Sequence, residues 1–129
     1  TDNAGMTSYE SLPFRRVKTV AELDEIVRQS NNQYLMVKFY ADWCVSCKEM
    51  ERFTLSDAQV QARLEDVMLL TIDVTEGNAD DMALLKRFNL FGPPGILFID
   101  RQGNDIPDVR VIGFLNKNDF LAVLNAILI

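Results

Sequence analysis

The feature that most restricts the fold of this chain is the almost uninterrupted apolar run Tyr34–Tyr40, which only Lys38 breaks. A run of this length and composition is typical of a strand buried on both faces. Such a strand needs a layer of structure on each side, and helices that cover both faces of a sheet supply it. A short turn, Ala41-Asp42-Trp43, follows the run, and the next helix is predicted to begin at about Cys44.

Strand and helix patterns alternate along the rest of the chain. Thr19-x-x-Glu22 and Ser56-x-x-Gln59 have the spacing of capping boxes and predict two helix starts. The segment Asp80–Phe88 is expected to be helical, with Met82 facing inward. Because alternation favours parallel pairing, the order β-α-β-α-β-α-β-β-α predicts an α/β fold with a central mixed sheet flanked by helices. The strands are predicted at Phe14–Val17, Tyr34–Tyr40, Val67–Val74, Ile96–Ile99 and Val109–Phe114.

Length and composition indicate one globular domain. The chain has 129 residues, of which 48% are hydrophobic, and its net charge of −6 argues against nucleic acid as a partner. Residues 14–129 are assigned to the domain and residues 1–13 to a polar linker or N-terminal extension that contains Pro13. Thr1–Gly5 lacks signal-peptide character, so either a targeting segment has been removed or the chain is a piece of a longer protein. The linker-like composition of residues 1–13 favours the second interpretation.

The cysteines, Cys44 and Cys47, must be explained as a pair. The chain has two cysteines and no histidine, whereas a closed structural zinc site needs four such ligands, so no metal and no separate cofactor is predicted. A Cys-x-x-Cys that opens a helix after a buried strand is typical of a redox motif. The open alternatives are a structural disulfide, two unrelated buried thiols, or half of a metal site in a binding module.

The position of each cysteine predicts its chemistry. Side chains three apart on a helix share a face, so the two sulfurs can form a disulfide. Cys44 lies at the helix N-terminus, where unpaired N–H groups favour a thiolate, and is predicted to be the more exposed nucleophile. Cys47 lies one turn further on and is predicted to resolve the mixed disulfide.

The segment Trp43-Cys44-Val45-Ser46-Cys47-Lys48, together with Pro94, resembles thioredoxin, and the likeness covers residues 14–128. The longer stretch Tyr40–Glu51 is similar to the C-terminal domains of the DsbD family of bacterial thiol:disulfide interchange proteins, and residues 91–100 and 111–114 fit the same family. The resemblance implies a thioredoxin-like fold and a soluble, monomeric domain in the periplasm, attached to an inner-membrane protein of a Gram-negative bacterium.

The same resemblance implies a route for electrons. They would come from the transmembrane domain of the parent protein and pass to its N-terminal domain. From there they would reach periplasmic disulfide proteins and cytochrome c maturation factors. The domain would thus act as a disulfide reductase.

The resemblance also assigns roles near the cysteines. Pro94 matches a cis-proline that shapes the substrate groove. Pro93 has no N–H to pair with a bound strand, and Gly95, where threonine is common, is expected to widen or loosen the groove. Trp43 and Tyr40 are expected to pack around the cysteines, although plain core packing is an open alternative for Tyr40.

Lys38 departs from the family pattern, since many relatives have a buried aspartate there. A buried lysine needs a partner, and Glu51 lies four residues after Cys47 on the same helical face, so we expect the two charges to meet beneath the active site. The alternative is that both are solvated. The residues between the cysteines carry no charge, and Asp42, Glu49 and Glu51 disfavour a nearby thiolate. The sequence therefore favours a reductase over an oxidase or isomerase.

Overall fold

The computed structural model describes residues 12–30 and 32–128, and within them five strands form one mixed sheet in the order β1-β3-β2-β4-β5. The buried strand β2 lies at the centre, parallel to β3 and antiparallel to β4, while β5 pairs antiparallel with β4. This is the thioredoxin-like arrangement that the sequence predicts. The strands are β1 Arg15–Arg16, β2 Leu35–Tyr40, β3 Met68–Asp73, β4 Gly95–Ile99 and β5 Val111–Ile112.

Helices cover both faces of this sheet. Leu35, Val37 and Phe39 of β2 point into one core, which includes residues of α1 and α4. Met36 points into a second core, which includes residues of α3 and α5. Successive side chains of a strand point to opposite faces of the sheet, so the apolar run of β2 predicts a strand that is buried between two cores. The helices are α1 Val20–Gln29, α2 Val45–Glu49, α3 Ala58–Arg63, α4 Ala79–Arg87 and α5 Lys117–Ile127, and a π-helical turn, Met50–Thr54, continues α2.

Side-chain caps fix most helix starts. The Thr19 hydroxyl accepts the Glu22 N–H at 3.1 Å, as the sequence predicts. Asn116 caps α5 in the same way. The predicted cap at Ser56 is wrong, because the Asp57 carboxylate accepts the first free N–H groups of α3. The Ser56 hydroxyl instead donates to the Arg52 carbonyl.

The predicted inward position of Met82 on α4 is wrong. Met82 is exposed, and Leu84 and Leu85 fill the core from that helix.

The prediction of a linker over residues 1–13 falls almost wholly outside the described residues and stays a prediction. In the part of the chain that the structure describes, no helix combines the length and the apolar composition that crossing a bilayer requires.

Candidate active site

Cys44 and Cys47 form a disulfide at the start of α2, with their Cα atoms 5.3 Å apart. Cys44 is the N-cap residue, and its sulfur accepts the Cys47 N–H at 3.1 Å. The Cys47 sulfur lies 3.8 Å from the Phe39 carbonyl oxygen of β2. The predicted placement of the pair at a strand-to-helix junction is therefore confirmed.

The two cysteines differ little in exposure. Cys44 is 6% exposed and Cys47 is 3% exposed, so Cys44 is the more exposed of the two, as predicted, although both are buried in the disulfide state. The helix position separates them better, because only Cys44 stands where the unpaired N–H groups of a helix point at its sulfur. That placement favours Cys44 as the thiolate.

The turn before the cysteines is tied to the end of β3. The Asp42 N–H donates to the Thr75 hydroxyl at 2.9 Å, and the Trp43 indole N–H donates to the Thr75 carbonyl at 3.2 Å. Trp43 is 62% exposed beside Cys44. The Tyr40 hydroxyl donates to the Asp42 carboxylate at 3.1 Å, and its ring packs against the core that contains both cysteines.

The pKa of Tyr40 is raised above its ordinary value, first by burial and then by the hydrogen bond and charge of Asp42. The carboxylates of Glu51 and Asp73 raise it further. Tyr40 is therefore a neutral hydrogen-bond donor at physiological pH. It fixes the Asp42 carboxylate two residues before Cys44.

The loop that carries the two prolines lies at the start of β4, and the Pro93–Pro94 peptide bond is cis, as the resemblance implies. The Pro94 carbonyl accepts the Gly113 N–H at 3.3 Å, which joins this loop to the end of β5. A Cβ atom added to Gly95 would lie 3.0 Å from the Leu90 side chain. Leu90 thus occupies the space beside Gly95 that a side chain would enter. The effect of Gly95 on the groove stays a prediction.

Lys38 and Glu51 meet, and their pairing is a direct contact. The Lys38 ammonium donates to the Glu51 carboxylate at 2.6 Å. The Lys38 side chain is 10% exposed and that of Glu51 is 43% exposed, so the cation is buried and its partner reaches solvent. The ammonium also lies 4.1 Å from the centre of the Phe14 ring and 5.9 Å from that of Tyr40. The alternative of two solvated charges is excluded for Lys38.

This ion pair forms one wall of a cleft of about 350 Å³. Lys48, directly after Cys47, and Arg52 of the π-helical turn add two more cations to the cleft, and Leu12 and Leu55 contribute apolar surface. The lining of this cleft therefore holds three cations and one carboxylate. This local positive balance is the reverse of what the overall charge of −6 suggests.

Sequence reasoning missed Thr75, Asp73 and the packing of Phe14 on Lys38. The sequence did contain an indication for Thr75 and Asp73, because parallel neighbouring strands end at the same edge of a sheet. Asp73 ends β3 beside Tyr40 at the end of β2, so residues just after both strands come together.

Among the described residues, no cluster of three or more histidine, cysteine or acidic side chains is arranged to hold a metal ion.

The fold and the cysteine pair together define a class, the thioredoxin-like thiol–disulfide oxidoreductases. A family model described as a thioredoxin-like domain matches residues 21–128. The chain belongs to this family and, within it, to the C-terminal domains of the thiol:disulfide interchange protein DsbD.

Relatives and solved structures support the narrower assignment. The DsbD of Ralstonia nicotianae is 59% identical over 113 residues, which are 86% of this chain and 18% of that protein. The DsbD of Escherichia coli K12 is 47% identical over 113 residues, which are 88% of this chain and 20% of that protein. The oxidised C-terminal domain of Neisseria meningitidis DsbD is similar with a TM-score of 0.69 and 32% identity, over 83% of this chain and 90% of that one. The chain thus spans about a fifth of the length of these full-length relatives.

Proposed function

We propose that the domain works as a protein-disulfide reductase, in which the reduced Cys44–Cys47 pair passes two electrons to a partner disulfide. The observation that carries this proposal is the disulfide at the start of α2, with the Cys44 sulfur in the N-cap position. The uncharged residues between the cysteines, Val45 and Ser46, add no positive charge that would make the disulfide strongly oxidising. The reaction needs no cofactor other than the cysteine pair.

The exchange has two balanced steps. The Cys44 thiolate attacks one sulfur of the partner disulfide, a mixed disulfide forms, and the other partner sulfur leaves as a thiolate that takes up a proton. The Cys47 thiolate then attacks the Cys44 sulfur, which releases the second partner thiol and leaves the Cys44–Cys47 disulfide. The partner gains two electrons and two protons, and the domain loses them.

The surroundings of Cys44 suit a protein partner. Trp43 and Val45 are exposed apolar side chains directly beside it, and such side chains are favoured at binding surfaces. The loop with Pro93, Pro94 and Gly95 would form the substrate groove. Pro93 lacks an N–H, so an extended partner segment would pair with its carbonyl alone.

Lys38 and Glu51 would adjust the ionisation of the cysteines. Lys38 offsets part of the negative field of the nearby carboxylates, which favours the Cys44 thiolate. Glu51, whose side chain is 43% exposed, would exchange the Cys47 proton with solvent. Asp42, held by Tyr40, acts in the opposite sense to Lys38.

The likeness to DsbD supports a place in a longer electron route. We infer a periplasmic domain of a Gram-negative inner-membrane protein, supplied with electrons by the transmembrane domain and donating them to the N-terminal domain of the same protein. Periplasmic disulfide proteins, including those of cytochrome c maturation, would be reduced indirectly. The matched stretch is about a fifth of the length of these relatives, which supports the proposal that both neighbouring domains would belong to the same polypeptide.

The test is electron transfer to the disulfide form of the parent protein's N-terminal domain. The reduced chain should reduce that domain at equimolar ratio, and Cys44→Ala should abolish the reaction. Cys47→Ala should accumulate a mixed disulfide with the partner, because the resolving thiol is missing. Transfer only in the opposite direction, from partner thiols to the Cys44–Cys47 disulfide, would make the domain an oxidase instead.

A further inference from the structure

Thr75 lies outside the cysteine motif, yet it holds the two residues that precede Cys44. Its hydroxyl accepts the Asp42 N–H at 2.9 Å and donates to the Asp73 carboxylate at 2.5 Å. A hydroxyl has one proton to donate, and here the donor and one acceptor position are both used. The side chain therefore has one fixed orientation between β3 and the active-site turn.

The backbone of Thr75 makes a second attachment. Its carbonyl accepts the Trp43 indole N–H at 3.2 Å, although Trp43 is 62% exposed and its N–H could have bonded to water. An exposed indole held at its polar end has fewer orientations than a free one. The ring is thus fixed as a wall beside Cys44.

Thr75 is in turn held by Asp73. The Asp73 carboxylate accepts the Thr75 N–H at 2.9 Å and an Arg16 guanidinium N–H at 3.1 Å. A continuous set of hydrogen bonds therefore runs from β1, through the end of β3, to the turn before the cysteines. None of these bonds reaches either sulfur.

We propose that Thr75 is a positioning residue that fixes Trp43 for docking of a protein disulfide on Cys44. This inference rests on the proposed function and names the residue that prepares its docking surface. Disulfide exchange needs the three sulfurs nearly in line, so a fixed wall beside Cys44 helps to orient a large partner. A small dithiol can adopt the required geometry without that wall.

The test compares Thr75→Val, which keeps the shape and removes the hydroxyl, with Thr75→Ser, which keeps the hydroxyl. The probes are insulin, as a protein disulfide, and dithiothreitol, as a small dithiol. Thr75→Val loses the hydrogen bonds of the hydroxyl with Asp42 and Asp73. We expect the KM for insulin to rise about fivefold, with kcat nearly unchanged. The rate with dithiothreitol should stay within about twofold, and Thr75→Ser should behave like the wild type.

A second readout uses the single tryptophan of the chain, Trp43. Its fluorescence anisotropy should fall in Thr75→Val and recover in Thr75→Ser, because only the former frees the turn. Unchanged anisotropy and insulin kinetics in Thr75→Val would overturn the proposal, and so would an equal loss of rate with both probes.

If Thr75→Val does not fold, Trp43→Phe tests the proposal instead, because it removes only the indole N–H and part of the ring. The KM for insulin should again rise about fivefold, and wild-type kinetics in this variant would contradict the proposal. A wild-type chain that exchanges with neither probe contradicts the proposed function. A chain that exchanges but is indifferent to these substitutions contradicts only the role of Thr75.

Discussion

At the scale of single residues, the N-cap position of Cys44 separates two cysteines that are almost equally buried. Its sulfur already accepts the Cys47 N–H in the disulfide form, so a donor is in place for a thiolate after reduction. Cys47 lacks that position and faces the Phe39 carbonyl, whose negative end disfavours a second thiolate.

We therefore expect selective alkylation of the reduced protein. A limiting dose of iodoacetamide near neutral pH should label Cys44 before Cys47, because the thiolate is the reacting form. Peptide mapping by mass spectrometry reads the order directly, and the denatured protein, in which both thiols should react alike, is the control. Preferential labelling of Cys47 would reverse the assigned roles.

The buried ion pair of Lys38 and Glu51 gives a second prediction. Lys38→Met should raise the pH midpoint of Cys44 ionisation, because a nearby cation favours the thiolate, and Glu51→Gln should lower it. The two effects should not add in the double variant, since each partner relaxes when the other is removed. Thiolate absorbance against pH for the four proteins is the measurement.

Exposed charges provide the matched control for this experiment. Lys117→Met removes a lysine that is half exposed and pairs with Asp57, away from the cysteines, and it should leave the midpoint where it is in the wild type. Unchanged curves for both Lys38→Met and Glu51→Gln would mean that the helix and local packing alone set the ionisation of the cysteines.

At the scale of elements, Asp73 joins β1, β3 and the active-site turn. The pKa of Asp73 is lowered: burial, the largest single influence, would raise it, but hydrogen bonds from the Thr75 side chain and backbone and the charge of Arg16 outweigh burial. A lowered pKa contributes stability that is present above the unfolded value, about 4, and is lost as the pH falls through the folded value.

Asp73→Asn should therefore destabilise the domain in a pH-dependent way. We expect the free energy of unfolding to fall by about 1 to 2 kcal/mol at pH 7, and the difference from the wild type to narrow below about pH 4. Urea unfolding at both pH values measures it. The exposed Asp108→Asn should change the free energy little at either pH. A difference that is equal at both pH values would mean that the charge of Asp73 is not what stabilises the junction.

Local patterns predicted most elements, and the failures have local causes. The buried run of β2, the Thr19 cap and the cysteine pair depend on neighbours within a few residues, and all are found in the structure. Ser56 and Asp57 are adjacent cap residues, so spacing alone could not choose between them, and the carboxylate is the actual cap. The same ambiguity of helix register placed Met82 inward.

The Thr75 attachments were beyond local reasoning, because they depend on how β2 and β3 align. Asp42 and Thr75 are 33 residues apart and meet only because Tyr40 and Asp73 are partners in the sheet. The contact of Lys38 with Glu51 was predictable, since a buried cation requires a partner and helical spacing offered one candidate.

At the scale of the whole molecule, two clefts differ in the charge of their linings. One cleft is lined by Lys38, Lys48 and Arg52 against Glu51. A second cleft is mainly acidic, with Arg16 and Lys18 against Asp42, Asp73, Glu76, Asp80 and Asp81. With no charge on the two residues between the cysteines, the helix N-terminus is the main aid to the thiolate. We expect this aid to be weaker than the stabilisation that makes a disulfide strongly oxidising.

The reduction potential of the Cys44–Cys47 pair tests the central claim most directly. After equilibration of the 129-residue chain with defined ratios of reduced and oxidised glutathione, trapping of free thiols gives the fraction reduced. A reductase predicts a potential below about −200 mV, nearer to that of thioredoxin. A potential near about −120 mV, typical of a strong oxidant, would contradict the account.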